Sequence, residues 1–184
     1  MHTYMKVSRG FRNNNPLNIC RGTTHWSGQC ATQTDNEFVQ FESMASGYRA
    51  AWKILATYHR RFTTIEKQAF TVENIISRWA PSTDGNDTRR YIQQVVMLTT
   101  RMPENKLQRC FDGDNIIEVV IGSLGAQENL MPPETQEGMY QLSKLLRAMT
   151  CIENGCRLKD VPTKDIAHGY RMAFRKRGPF ASAA

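Results

Sequence analysis

Hydrophobic residues in this chain recur mostly at spacings of three and four, which predicts a protein built from helices. The strongest stripe is Tyr48, Ala51, Trp52, Leu55, His59 and Phe62, on a helix that Ser43 can cap, with Arg49, Lys53, Arg60 and Arg61 off or beside it. His59 reads as a packed or flanking residue. Val72, Ile75, Ile76 and Trp79 mark a shorter helix that starts at Thr71 and stops at Pro81. Beyond the loop STDGND, Asp87 or Thr88 caps a helix carrying Tyr91, Ile92, Val95 and Val96. From Pro133 to Ile152 a further helix turns Met139, Leu142, Leu145, Leu146, Met149 and Ile152 inward, and Gly155 ends it. Thr163 caps a last helix through Phe174. Strand signals are few. Asp35 to Glu42 reads as one strand with Asp35, Glu37, Val39 and Phe41 on one face, able to pair with residues near 19–22 as a hairpin. Ile116 to Ile121 fits either a strand or a buried helix. The fold class is therefore mainly α with a small β-hairpin or sheet (α+β). It forms a single domain over residues 1–178 with a C-terminal helical part, followed by a disordered tail at 179–184.

Composition narrows this picture. With 184 residues, 40% hydrophobic and 22% charged, the chain suits one soluble domain with a proper core. No run approaches the roughly 18 apolar residues of a membrane span, and the first residues lack the apolar segment of a signal peptide. Synthesis in the cytoplasm and a monomeric state are expected. A net charge of +7 suits an anionic partner, either nucleic acid or the carboxylates and phosphates of cell-wall polymers. No zinc-finger, RNA-recognition or Walker pattern supports nucleic acid. Five cysteines at these spacings match no metal site, so free thiols are the default, with a Cys20–Cys30 bridge as the alternative. Neither a metal nor a cofactor is implied.

Candidate chemistry gathers at Arg12 to Ile19, RNNNPLNI. Asparagine bonds its own backbone and tolerates left-handed conformations, and Pro16 biases Asn15 away from helix, so the plain reading is a surface turn. The cluster, however, opens an ordered set: Trp26 and Gly28, then Asp35, Phe38 and Phe41, then Gly47 to Ala50, Arg78 to Pro81, Asn86 to Thr88, and Tyr91 with Ile92. This set resembles a family of small phage and prophage structural (virion) proteins, strongly over the first hundred residues and loosely beyond. Against that pattern, residues 101–132 look like an insertion. A more distant likeness is to the glucosaminidase domains of autolysins in the lysozyme-like superfamily. It implies a lysozyme-like fold, mainly helical, with a small sheet lining a glycan cleft.

Those resemblances imply a peptidoglycan-directed glycoside hydrolase or lytic transglycosylase of phage origin. The alternative is a non-catalytic virion or cell-wall glycan-binding protein on the same fold. The partners would be peptidoglycan glycan strands and other virion proteins, reached in the virion or at the cell wall after lysis or delivery. Glycoside cleavage needs a carboxylic acid and often a second carboxylate. Asp35, Glu37 and Glu42 are the carboxylates of the first 65 residues and the catalytic candidates. On one strand face Asp35 and Glu37 would stand about 6.5–7 Å apart. Asn13, Asn14, Asn15 and Asn18 offer amides suited to hydroxyls and N-acetyl groups. Trp26 is either a core anchor or a sugar-stacking platform. Asn86, Asp87 and Tyr91 would close the cleft, Asp87 doubling as a helix cap, and Arg78 would pair with Asp84 or Asp87. One element is missing: no acid lies before the asparagine loop, where the likeness calls for a catalytic Glu at a helix end.

Overall fold

The computed structural model describes residues 7–111 and 115–174. In chain order the elements are α1 (Arg9–Arg12), α2 (Met44–Arg60), α3 (Val72–Trp79), α4 (Thr88–Thr99), β1 (Asn105–Phe111), β2 (Asn115–Ile121), α5 (Gln136–Asn154) and α6 (Thr163–Phe174). The chain is mainly helical with one small antiparallel sheet. The expected tail at 179–184 lies outside the described residues. No helix among those described is long and apolar enough to cross a membrane.

The helices start where their caps predict. Ser43, Thr71, Asp87 and Thr135 each accept a hydrogen bond from a backbone N–H of the first turn of α2, α3, α4 and α5. α5 begins at Gln136, three residues later than the hydrophobic pattern suggested, and ends at Gly155 in the left-handed conformation (φ 61°). α2 runs on into a single π-helical stretch, Arg61–Glu66, which buries Phe62.

α2 is the central helix. Tyr48, Trp52 and Leu55 are fully buried. Trp52 donates its indole N–H to the carbonyl of Ile166 at 3.1 Å and meets Tyr170 edge-on at 5.0 Å between ring centroids. Tyr48 Oη lies 3.0 Å from Thr150 Oγ1, joining α2 to α5. α6 approaches α2 so closely at Gly169 that an added Cβ would stand 2.7 Å from Tyr48 Cβ and 2.8 Å from the Arg49 nitrogen.

Two strand expectations change. Ile116 to Ile121 is strand: β2 pairs antiparallel with β1 from Asn105 opposite Ile121 to Phe111 opposite Asn115. The buried Lys144 of α5 holds this hairpin at its base, donating to the carbonyls of Pro103 (2.7 Å) and Gly122 (2.8 Å). Asp35 to Glu42 forms no regular strand but does pair with residues 19–21: Cys20 bridges Phe38, the Val39 N–H donates to the Ile19 carbonyl at 2.9 Å and the Arg21 N–H to the Glu37 carbonyl at 2.7 Å, while Gln29 bridges Phe41. Side chains complete this short ladder. Asp35 Oδ1 accepts the N–H groups of Glu37 and Phe38, and Gln33 and Gln40 exchange bonds with each other's backbone or with nearby loops.

Gly169→Ala tests the α2–α6 contact. Helix propensity would favour alanine by about 1 kcal/mol, but overpacking against backbone costs about 3 kcal/mol. A net loss near 2 kcal/mol, a fall of roughly 6 °C in Tm, is expected by calorimetry. An unchanged or higher Tm would contradict the close approach.

Candidate functional site

The asparagine loop follows α1 directly and is shaped by its own amides. Asn14 (φ 50°) and Asn18 (φ 49°) sit in the left-handed region, which asparagine tolerates better than most residues. Asn15 is fully buried. Its Nδ2 donates to the carbonyls of Ile19 (2.9 Å) and Val39 (2.8 Å), and its Oδ1 accepts the Ile19 N–H at 2.9 Å. That amide is spent on the chain itself and has no surface for a ligand. Asn13 is also buried; its Nδ2 donates to Asp35 Oδ2 at 2.7 Å. Asn14 donates to the Phe41 carbonyl at 3.0 Å. Three of the four asparagines therefore frame the loop rather than face outward.

Arg9 engages the acidic candidates. Its guanidinium grips Asp35 at 2.6 and 2.8 Å and Glu37 at 2.8 Å, and stacks 4.3 Å from the Phe38 ring centroid. Asp35 and Glu37 do share a side, but with a cation between them. The Arg9 guanidinium, the Phe38 N–H and the Asn13 amide hold the Asp35 carboxyl well below the usual carboxylate range. An acid so stabilised as the anion holds no proton to give at neutral pH. Glu37 has 60% of its side chain exposed, and Glu42 is exposed. Trp26 is half-buried and packs against the core.

The later motif divides. Asp87 caps α4 by accepting the Arg90 N–H at 3.0 Å, and Asn86 donates to the Pro81 carbonyl at 3.1 Å. Both line a cleft of about 550 Å³ with Glu73, Ser77 and Arg89. Arg78 pairs with Glu66 at 3.0 Å, not with Asp84 or Asp87, because the π-helical stretch after α2 brings Glu66 beneath it. Tyr91 turns the other way, into the protein. Its hydroxyl donates to Glu153 Oε1 at 2.8 Å.

Glu153 was not among the candidates, yet it is where the motifs meet. It stands in the last turn of α5, partly buried. Oε2 accepts from Asn18 Nδ2 at 2.9 Å, with the Trp79 side chain close by. Burial raises its pKa, against the pull of Tyr91, Asn18 and Trp79. A carboxyl in this setting keeps its proton further toward neutral pH, as a general acid requires. Asn18 Oδ1 is buried here without a hydrogen-bond partner. The exposed Cys20 thiol is pushed up first by burial and then by the charges of Glu37, Glu153 and Asp84. Cys20 and Cys30 are both free thiols. No group of three or more metal-ligating side chains occurs among the described residues.

Glu153 did carry a sequence signal. Leu142, Leu146 and Met149 lead to it at spacings of four, three and four, so it occupies an inward position of an otherwise apolar stripe. A carboxyl placed there must be hydrogen-bonded or functional.

Comparison with known proteins gives one informative match. No family model matches the chain. Protein P5 of Pseudoalteromonas phage PM2 is 34% identical over 135 residues, which are 72% of this chain and 78% of that protein.

The two kinds of carboxyl make opposite contributions to stability. Asp35, with its pKa depressed on folding, stabilises the protein above its unfolded value of about 4, and that stability is lost as pH falls. Glu153, with its pKa raised, contributes fully below about pH 4, and its contribution is lost as pH rises through the folded value. Glu153→Gln is therefore expected to flatten the decline of Tm between acid and neutral pH, and Asp35→Asn to flatten the acid side. Identical slopes in wild type and Glu153→Gln would remove the assignment of a raised pKa. Asn15→Ala leaves the Ile19 N–H and the Val39 carbonyl without their partner and is expected to cost about 3 kcal/mol in urea denaturation.

Proposed function

The chain belongs to the family of Protein P5 of Pseudoalteromonas phage PM2, and from that premise we propose that it is a phage protein acting on peptidoglycan as a glycosidase, with Glu153 as its general acid. One observation carries this reading: the partly buried carboxyl of Glu153, its pKa raised, receives hydrogen bonds from Asn18 and Tyr91 with Trp79 close by. These three residues come from the asparagine loop, the RWAP segment and the start of α4, stretches that the sequence singled out separately.

The chemistry follows from the geometry. A protonated Glu153 would deliver its proton to the glycosidic oxygen as the bond to the leaving sugar stretches. Tyr91 and Asn18 then stabilise the carboxylate left behind, since both donate to it. Asp35 acts as a positioning residue, holding Arg9 and the loop. The Glu153 anion left by that step takes a proton from water, whose oxygen bonds to the anomeric carbon and gives a reducing end, or from the sugar's own hydroxyl, whose oxygen bonds there instead and gives an anhydro end. Muramidase, glucosaminidase and lytic transglycosylase activities are all compatible with this acid.

A second reading, a non-catalytic virion or cell-wall glycan-binding protein, is favoured by Arg9, whose guanidinium engages both Asp35 and Glu37.

Mass spectrometry of soluble products from purified sacculi separates the two. Wild-type protein is expected to release muropeptides, and Glu153→Gln to lower the rate about 10³-fold while still sedimenting with sacculi. Glu37→Ala and Glu42→Ala are expected to stay within about threefold of wild type, since neither shares the environment of a general acid. Sedimentation without products from wild type supports the binding protein. Products that survive Glu153→Gln would exclude Glu153 as the acid.

A further inference from the structure

We propose that Cys151 and Cys156 form a disulfide when the protein meets an oxidising compartment, and that this cross-link clamps the end of α5 that carries Glu153. The backbone brings the two cysteines together: Gly155 turns left-handed at the end of α5, and the Cys156 N–H reaches back to the Cys151 carbonyl at 3.1 Å. The Cys156 thiol lies against the same last turn, donating to the Thr150 carbonyl at 3.8 Å. Such a closure folds the residue after the turn back onto the side chain five positions before it.

Access is one-sided. Cys151 is buried, whereas Cys156 is half-buried and lines a cleft of about 530 Å³ with Val7, Phe11, Asn154 and Arg157. A small disulfide of the glutathione class can reach Cys156 through that cleft. The Cys156 thiolate attacks one sulfur of it, forming a mixed disulfide and releasing the first small thiol. Cys151 then gives its proton to water, attacks the Cys156 sulfur and expels the second small thiol. Two protein thiols are oxidised and one small disulfide is reduced to two thiols. Burial pushes the Cys151 thiol up to about 12 and raises Cys156 as well, so thiolate is scarce at neutral pH. The reaction is accordingly slow and speeds up with pH, which suits a structural link rather than a fast-cycling redox pair.

The closed loop holds the two residues that matter most at this end of α5. Asn154 donates to the Pro16 carbonyl at 2.7 Å and its Oδ1 accepts from Ser8 at 2.6 Å, tying α5 to both flanks of the asparagine loop. Glu153 lies beside it. The clamp thus fixes the loop and the carboxyl relative to each other. The cross-link stands on the thiol geometry alone; only its bearing on catalysis rests on the glycosidase reading.

The test uses the full chain in a glutathione buffer rich in the disulfide, followed by alkylation and trypsin. Both cysteines fall in one tryptic peptide, Ala148 to Arg157. It is expected to appear lighter by two hydrogens and unalkylated, with its formation faster at higher pH. Tm is expected to rise by roughly 5 °C on oxidation and to return with dithiothreitol. Cys156→Ser, or Cys151→Ala should that variant fail to fold, is expected to abolish the rise. A peptide alkylated at both positions would overturn the proposal, as would a persistent glutathione adduct on Cys156 or linkage of either residue to Cys20, Cys30 or Cys110. A link that forms without raising Tm would overturn the clamp. A link that forms and stabilises a protein with no sacculus-degrading activity would leave this inference standing and remove the glycosidase reading.

Discussion

The buried amide of Asn15 is the interaction on which the rest of this structure depends. Two loop segments, around Ile19 and Val39, must leave solvent without a regular ladder to satisfy them. A single side chain meets three of their backbone groups. That lets Leu17, Val39 and Phe41 enter the core and brings Asn13 and Asn14 within reach of Asp35 and the Phe41 carbonyl. Asn14 in turn lies against Gly47, where an added Cβ would stand 2.2 Å from its carbonyl oxygen. The loop is therefore built onto α2, and α2 onto α5 and α6. Polar networks of this kind are costly if half-satisfied and highly specific if complete.

This explains why the helices are more legible in the sequence than the loop. Helices α2 to α6 were legible because periodicity and caps are local signals. Ser43, Thr71, Asp87 and Gly155 each do what their residue type favours at their position. The asparagine cluster is also local, but its chemistry is ambiguous. An amide suited to a sugar hydroxyl is equally suited to a backbone carbonyl, and only burial tells the two apart. Asp35 shows the same limit. As a residue type it fits catalysis, but Arg9 beneath it makes it a persistent anion. Residues 35–42 pair with 19–21 only briefly and form no regular strand, because side-chain amides and Asp35 take other backbone groups of the segment.

Glu153 lay beyond the reach of motif reasoning because its partners are dispersed along the chain. Asn18 and Glu153 are 135 positions apart, and Tyr91 and Glu153 are 62 apart. A helix-terminal glutamate does meet the asparagine loop, on a helix that follows the loop in sequence instead of preceding it. Its inward position on the α5 stripe was visible all along, and a carboxyl on an apolar face is a stronger signal than an exposed carboxyl within a motif. The environment then separates the acids by role: Arg9 keeps Asp35 charged, while burial favours the neutral form of Glu153.

The long separation between Asn18 and Glu153 also governs when this cluster can assemble. Until the ribosome has released most of α5, the asparagine loop has no carboxyl to meet and Tyr91 has no acceptor. A nascent or truncated chain would carry nearly every recognisable motif and still lack the arrangement that joins them.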